Sequence, residues 1–263
     1  MLATVLQLYL WFRRCFGGKR RRGRIVDLPF GLLLKVASPK GVPESDVIGF
    51  VNRHTSIPTP NVVASVDGYG RRFFVMKRVH GRTLESVLHT LDPAQRAKIA
   101  QQLHSFVSQL RSIKSPHGSS ICALNGEALI DSRITTCGPV GPFVDETAFN
   151  DRLLQTSAPF KSKADLAELR SRMRATHAIV FTHGDIAPRN IMVEGDTVVA
   201  LLDWQQAGWH AEHWEFIKAK WCPPDLHSAA ELWDSMVEQL FDKDYTPEWL
   251  LDRDLSDDIV GGY

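Results

Sequence analysis

The stretch that most constrains this 263-residue chain is residues 178–204, AIVFTHGDIAPRNIMVEGDTVVALLDW. Two apolar runs of strand character, 178–182 and 198–202, enclose a polar loop and a turn, which is typical of a half-buried hairpin or a short sheet. Four polar residues lie in the loop or directly after the second run: His183, Asp185, Asn190 and Asp203. The stretch therefore predicts a small sheet that presents several polar side chains at strand ends.

The chemistry of these side chains indicates phosphoryl transfer. Carboxylate and amide oxygens suit Mg²⁺, which takes few protein ligands and shares the others with phosphate and water. A carboxylate in the same loop can orient an attacking hydroxyl, and charge neutralisation supplies most of the remaining catalysis. Asp185 alone would be read as a loop-capping residue. With Asn190 and Asp203 at their spacing, it is the candidate catalytic base and they are the candidate Mg²⁺ ligands.

The spacing His-x-Asp-x-x-x-x-Asn, followed by an apolar strand and Asp, resembles the catalytic and metal loops of the protein-kinase-like fold. Gly184 and Trp204 make it similar to the aminoglycoside phosphotransferase and choline kinase branch, because protein kinases carry Arg and Phe there. Lys35 and three short motifs look like fungal members of that family: TSIPTP at 55–60, GPF at 141–143 and AGW at 207–209. The resemblance covers roughly residues 24–241.

This resemblance implies an α+β, two-lobed protein-kinase-like fold, with a small antiparallel-sheet N-lobe and a larger, mainly helical C-lobe. It implies ATP and Mg²⁺ as cofactors and transfer of the γ-phosphate to a hydroxyl of a small molecule. The expected segments are an apolar and basic N-terminal segment (1–23), a nucleotide-binding N-lobe (24–80), a C-lobe with the catalytic loop and substrate site (81–250), and an acidic tail (251–263).

The resemblance also assigns nucleotide-binding residues. Alternation along the strand 31–37 places Lys35 on one face with Leu33 and Ala37, so its ammonium is expected to face the phosphates rather than solvent. In the family, a Glu from the next helix pairs with this lysine; here Asp46 is the better match and Glu44 the other candidate. The connection between the lobes, with Met76, Arg78 and Val79, is expected to meet the adenine through its backbone.

One feature of the family is missing. No G-x-G-x-x-G precedes Lys35, where only Gly17, Gly18, Gly23 and Gly31 are dispersed, so phosphate-binding backbone donors must come from an irregular turn. A second hypothesis therefore stays open, a catalytically silent kinase-like protein that binds a nucleotide or another ligand. A protein kinase is not expected because the His-Arg-Asp, Asp-Phe-Gly and Ala-Pro-Glu motifs are absent.

Composition is ordinary for a soluble globular protein, with 44% hydrophobic and 23% charged residues. The four cysteines have no C-x-x-C spacing, and no secretory signal is recognised. They are expected to be free thiols in a reducing compartment, so a cytoplasmic location is predicted.

Charge is distributed unevenly. Residues 1–40 hold nine Lys or Arg and one acid, and an apolar run at 2–12 precedes the basic stretch 13–24. Eleven residues are too few to span a bilayer, which needs ~20. Contact of residues 1–24 with a membrane surface is one interpretation, and a helix packed on the small lobe is the favoured one. No nucleic-acid partner is expected, because no reading module accompanies the charge.

The C-terminal part is acidic and rich in tryptophan. Residues 201–263 hold four bases and fourteen acids, which favours a cationic substrate, although a solvated acidic surface explains the excess equally well. Six of the seven tryptophans lie at position 204 or later. Packing in the core is their expected role, and a cation–π wall for a ligand is the alternative.

Overall fold

The computed structural model describes residues 21–22, 25–37, 40–68, 70–134, 138–225 and 227–256. Apart from Arg21 and Arg22, the segment predicted for residues 1–23 lies outside these residues, as do Gly17, Gly18 and Gly23. No helix in the described part of the chain has the length and apolar character that crossing a membrane requires.

The first part of the chain forms a five-stranded antiparallel sheet. Its strands are β1 (Arg21–Arg22), β2 (Ile25–Leu28), β3 (Leu32–Ala37), β4 (Val62–Gly68) and β5 (Arg71–Lys77), in the spatial order β1-β2-β3-β5-β4. The sequence predicts strands at 24–28 and 31–37 and, from the apolar runs 61–67 and 72–79, a hairpin. These elements are present, with bounds shifted by at most two residues. The register that sets Lys35 opposite Ile25 and Phe74 places it in a central strand rather than at an edge.

Helix α1 (Glu44–His54) packs on this sheet. Acidic Glu44 and Asp46 lie in its first turn and Arg53 and His54 in its last, which complements the helix dipole at both ends. Buried Val47, Ile48 and Val51 recur at helical spacing and join Phe74 of β5 in the main core. The helix is thereby held against the strand next to Lys35.

The larger part of the chain is mainly helical. Its helices are α2 (Leu84–Val87), α3 (Pro93–Ser112), α4 (Glu146–Ser157), α5 (Lys163–Arg172), α6 (Trp214–Lys220), α7 (His227–Glu238) and α8 (Thr246–Ser256). Helix α3 begins with a capping box between Asp92 and Gln95. Apolar residues recur at three and four positions along 99–113, which predicts a core-facing stripe. The stripe is buried, with Ile99, Leu103 and Leu110 at most 1% exposed.

Two small sheets lie within this part. One contains β6 (Arg82–Thr83), β9 (Ile191–Glu194) and β10 (Thr197–Leu201) in the order β10-β9-β6, and the other contains β7 (Cys122–Ala123), β8 (Ile179–Thr182) and β11 (Gly208–Ala211) in the order β7-β11-β8. The two apolar runs at 178–182 and 198–202 therefore do not pair with each other. The first run forms β8, which pairs with β11, and the second forms most of β10, which pairs with β9 in a hairpin.

The acidic tail predicted for residues 251–263 is wrong for residues 251–256. These residues belong to α8, and Asp252 and Leu255 are each 3% exposed. Asp252 is buried because Arg133 and Trp221 donate hydrogen bonds to its carboxylate at 2.8 and 2.6 Å. The tryptophans have their expected role, since Trp204, Trp209, Trp214 and Trp233 are fully buried.

Candidate active site

One buried acid, Glu215, binds the backbone at the start of the loop between β8 and β9. Glu215 in the first turn of α6 accepts the backbone N–H of His183 at 2.6 Å and that of Gly184 at 3.0 Å. Burial is the main cause that raises the pKa of Glu215, and these backbone donors counteract it. The start of the loop is therefore attached to a helix of the core.

His183 braces the loop through hydrogen bonds at both ring nitrogens. Its Nδ1 accepts the backbone N–H of Asp185 at 3.1 Å, and its Nε2–H donates to the carbonyl of Leu202 at 2.9 Å. Burial lowers the pKa of His183 to about 4, so the ring is neutral and its tautomer is fixed by the two partners. The ring connects the loop to the end of β10.

Gly184 is required by two independent constraints. Its φ is +76°, in the left-handed region, and a Cβ at this position would lie 2.3 Å from the backbone oxygen of Gln206. No L side chain fits that space, and the close approach brings the loop against the segment that follows Asp203.

Asp185, the predicted base, is 7% exposed and has both oxygens engaged. Asn190 Nδ2 donates to Oδ2 at 2.8 Å, and Arg189 Nη2 donates to Oδ1 at 2.7 Å. Burial raises the pKa of Asp185, against the lowering effect of Arg189. Arg189 therefore lies where its charge neutralises that of Asp185.

Asn190 and Asp203, the predicted metal ligands, come together through the β9–β10 hairpin. The N–H of Leu202 donates to the carbonyl of Asn190 at 2.8 Å, which continues the pairing of Ile191 with Leu201. Asp203 is the next residue and adopts φ 63° and ψ 64°, a left-handed conformation that is uncommon outside glycine. Such strain is concentrated at functional positions.

Lys35 links the small sheet to this hairpin. Its Nζ lies 2.8 Å from Glu44 Oε2 and 2.8 Å from Asp203 Oδ1, and the residue is 8% exposed. Burial alone would lower the pKa of Lys35, but the two carboxylates outweigh it and raise that pKa. The ammonium therefore stays charged, and the prediction that it turns away from solvent is consistent with this geometry.

The predicted partner of Lys35, Asp46, is wrong, because Glu44 takes that position. Two residues along a helix are separated by roughly 200° of rotation, so Glu44 and Asp46 face opposite sides of α1. Asp46 is exposed and accepts a hydrogen bond from Ser45 at 3.2 Å. Glu44 is buried, and its second oxygen accepts the backbone N–H of Trp204 at 3.2 Å.

The connection between the lobes, predicted to bind adenine, follows β5. Met76 pairs with Leu33 and Val62 inside the sheet. The Arg78 N–H donates to the carbonyl of Gly31 at 2.7 Å, and its guanidinium pairs with Asp27. Among the described residues, the N–H of Val79 has no partner within the chain. The N–H of Val79 can therefore donate a hydrogen bond to a ligand, whereas the N–H of Arg78 already donates to Gly31.

A model of the APH phosphotransferase enzyme family matches residues 32–249 of the chain. The chain belongs to this family. A search of curated protein sequences finds no significant match.

Solved structures of similar fold include aminoglycoside phosphotransferases. A thermostable mutant of APH(4)-Ia in its apo form gives a TM-score of 0.64 at 14% identity, covering 94% of this chain and 87% of that chain. The aminoglycoside-3'-phosphotransferase of type VIII gives 0.53 at 17% identity, covering 86% and 84%. The gentamicin complex of APH(2")-IIa gives 0.57 at 14% identity, covering 95% and 85%. The predicted two-lobed, kinase-like α+β fold is confirmed, while the likeness to choline kinases and fungal members stays a prediction.

In this family member, a buried polar network beneath the loop was not predicted from the sequence. Gln206 Oε1 accepts from Lys218 Nζ at 2.8 Å, and Lys218 pairs with Asp131 at 3.0 Å. Trp214 Nε1 donates to the other oxygen of Asp131 at 2.7 Å. No spacing connects these residues in the sequence, so only the fold brings them together.

Proposed function

We propose that this protein is an ATP- and Mg²⁺-dependent phosphotransferase that transfers the γ-phosphate to a hydroxyl of a small molecule. The observation that carries the proposal is the Lys35 ammonium, which bridges Glu44 and Asp203 at 2.8 Å each. The same hairpin that presents Asp203 also presents Asn190, whose amide holds Asp185. The Lys35 ammonium, the metal-binding carboxylate of Asp203 and the base Asp185 are thus held close together by Glu44 and the β9–β10 hairpin.

The oxygen atoms available at this site fit Mg²⁺. The Nδ2 of Asn190 donates to Asp185, which leaves its Oδ1 as an acceptor. Asp203 shares one oxygen with Lys35, and its side chain is 31% exposed. Asn190 and Asp203 would hold the ion, which when bound neutralises charge on the transferred phosphate.

Asp185 would orient the substrate hydroxyl and accept its proton. Its oxygens are fixed by Arg189 and Asn190, so the carboxylate has little rotational freedom to lose on binding. Its raised pKa makes it a better proton acceptor than an exposed aspartate. Lys35 would bind the phosphates, and the N–H of Val79 would meet the adenine. In this division, residues 24–80 bind the nucleotide and 81–250 bind the substrate.

The substrate class is a polar small molecule that carries hydroxyl groups. Structural neighbours include APH(4)-Ia in a ternary complex with ADP and hygromycin B, and APH(2")-IIa with gentamicin. Both are aminoglycoside phosphotransferases, and this supports a substrate with cationic character. The acidic excess of residues 201–263 is weaker support, because Glu215 and Asp252 are buried in structural roles.

Nucleotide binding and turnover test the proposal separately. Mg-ATP at 100 times its Kd should stabilise the fold by ~2.7 kcal/mol, seen as a rise in melting temperature. A library of hydroxylated metabolites is then screened for ATP consumption. Asp185→Asn should lower consumption by roughly 10²- to 10⁴-fold. Asp196→Asn, the same change in an exposed turn, should not. Consumption equal in both variants would contradict the assignment of Asp185.

A silent ligand-binding protein is the second candidate. It is favoured by one observation: no G-x-G-x-x-G precedes Lys35 to supply backbone donors for the phosphates. This candidate predicts a melting-temperature rise with Mg-ATP and no ATP consumption with any member of the library. The phosphotransferase predicts both the melting-temperature rise and ATP consumption.

A further inference from the structure

A cluster of two histidines and a glutamate lies in the C-lobe, among residues that the proposed phosphoryl transfer does not use. Glu146, His177 and His213 each offer one ligand atom, and these atoms lie within 4.8 Å of one another. Glu146 Oε1 lies 2.6 Å from His177 Nδ1 and 3.7 Å from His213 Nδ1. Glu146 and His213 are buried, and His177 is partly buried.

The cluster contains an unsatisfied polar atom. His213 is 6% exposed, and its Nδ1 has no hydrogen-bond partner in the described structure although it faces Glu146. A buried ring nitrogen without a partner is costly, and in native proteins it requires an explanation such as an absent ion. Here Nδ1 lies 3.7 Å from the carboxylate oxygen Oε1 of Glu146, too far for a hydrogen bond.

We propose that Glu146, His177 and His213 bind a Zn²⁺ ion. Two imidazole nitrogens and one carboxylate oxygen suit zinc, whereas Mg²⁺ and Ca²⁺ prefer sets made of oxygen alone. Zinc bonds of about 2.0–2.2 Å in a tetrahedron place ligand atoms about 3.3 Å apart. The two separations from Glu146 Oε1 depart from that value by less than about 1 Å, so small side-chain rotations complete the site.

The surroundings orient the three ligands. Glu146 Oε2 accepts the backbone N–H of His177 at 3.0 Å, which leaves Oε1 for the metal. His177 Nε2 lies 3.5 Å from Glu248 Oε1, so this N–H can point to a carboxylate while Nδ1 binds zinc. A carboxylate behind a histidine ligand is the usual arrangement at zinc sites. Glu146 and Glu248 together would also balance the charge of the ion.

Space for a fourth ligand adjoins the cluster. A cavity of about 30 Å³ is lined by His177, His213 and Glu248. A water needs roughly 10–15 Å³, so the cavity has room for a water as the fourth ligand.

The position of the cluster gives the ion a structural consequence. Glu146 begins α4, His177 precedes β8, His213 precedes α6, and Glu248 lies in α8. One ion would tie these segments together directly ahead of Glu215, the residue that holds the backbone of His183 and Gly184. We therefore expect zinc to stabilise the part of the C-lobe that supports the catalytic loop.

Metal content and affinity test the site without reference to activity. The full chain, free of any polyhistidine tag, is stripped with a chelator and titrated with Zn²⁺ against a chromophoric competitor in excess Mg²⁺. We expect one zinc per chain and a Kd tighter than about 1 μM. Glu146→Gln and His213→Gln should weaken binding more than ~100-fold, and Glu248→Gln by roughly 10- to 100-fold. His104→Gln, an exposed histidine that pairs with Asp242, should bind like the wild type.

The unmutated protein provides a second readout, in case the variants fail to fold. Co²⁺ in the site should give the intense visible bands of a tetrahedral ion, and added Zn²⁺ should abolish them and raise the melting temperature. A stripped wild type that binds no zinc, or binding that is unchanged in Glu146→Gln and His213→Gln, would overturn the proposal. Neither result depends on phosphotransferase activity, so the two proposals can fail independently.

Discussion

The ammonium of Lys35 lies 2.8 Å from a carboxylate oxygen of Asp203, although 168 positions separate the two residues in sequence. One belongs to the central strand of the small sheet, and the other directly follows the β9–β10 hairpin. Glu44 completes the contact, because its carboxylate accepts both the Lys35 ammonium and the backbone N–H of Trp204. The relative position of the small sheet, α1 and the segment at Asp203 therefore depends on one buried glutamate, Glu44.

The first prediction concerns that glutamate. Glu44→Gln should weaken Mg-ATP binding by ~10- to 100-fold, because a hydrogen bond to a charged group contributes about 1.5–3 kcal/mol. Asp46→Asn, two positions along the same helix, should bind Mg-ATP like the wild type, since Asp46 faces solvent. The rise in melting temperature across a Mg-ATP titration measures the affinity of both variants. Equal weakening in the two variants would contradict the assignment of Glu44 as the partner.

The choice between Glu44 and Asp46 shows where sequence reasoning fails. Both are acids in the first turn of a helix that the apolar spacing of residues 43–54 predicts, but only the phase of α1 against the sheet decides which one is buried. Patterns that act locally were predicted well: the apolar stripe of α3, the β4–β5 hairpin, and the spacing of Asp185 and Asn190 within one loop.

Long-range pairing could not be predicted from local pattern. The apolar runs at 178–182 and 198–202 flank one loop, yet their strands β8 and β10 lie in different sheets. Asp252 belongs to an acidic run that is typical of a solvated tail, and its burial depends on Arg133, 119 positions away. The same holds for Glu215, whose role depends on two backbone N–H groups 31 and 32 positions earlier.

The second prediction concerns the backbone of the catalytic loop. Gly184→Ala introduces a Cβ 2.3 Å from the oxygen of Gln206 at a φ of +76°, whereas Gly195→Ala, at φ +60°, meets nothing within 4 Å. Gly195→Ala should lower the free energy of unfolding by about 1–2 kcal/mol, the cost of left-handed backbone. Gly184→Ala should cost about 1–3 kcal/mol more because of overpacking. Urea unfolding measures both, and equal losses would contradict the close approach.

The third prediction is a pH dependence caused by His210. This residue is 0% exposed, and neither ring nitrogen has a partner in the described structure. Burial lowers the pKa of His210 to about 4, partly offset by Asp131. In the unfolded chain the pKa is about 6.5, so between pH 6.5 and 4 only the unfolded state takes up the proton. Stability is therefore complete above pH 6.5 and falls as pH decreases towards 4.

This loss should be on the order of 3 kcal/mol across that window, because a tenfold difference in proton affinity between the two states corresponds to about 1.4 kcal/mol. His210→Leu should flatten the slope of unfolding free energy against pH, measured by urea unfolding between pH 7.5 and 4.5. His104→Gln, which removes an exposed histidine, is the control variant. A slope in His210→Leu as steep as that of the wild type would show that His210 is protonated in the folded state.

The fourth prediction separates two aspartates of α8. Asp252 is 3% exposed and accepts from Arg133 at 2.8 Å, so Asp252→Ala removes the carboxylate that faces a buried guanidinium. Breaking such a pair costs about 3–5 kcal/mol. Asp254, two positions later, contacts Arg172 at 2.8 Å with a side chain that is 34% exposed. Asp254→Ala should cost no more than about 1 kcal/mol. Urea unfolding of the two variants compares a residue of the core with one of the surface. Equal, small losses would return residues 251–256 to the solvated tail that their composition predicts.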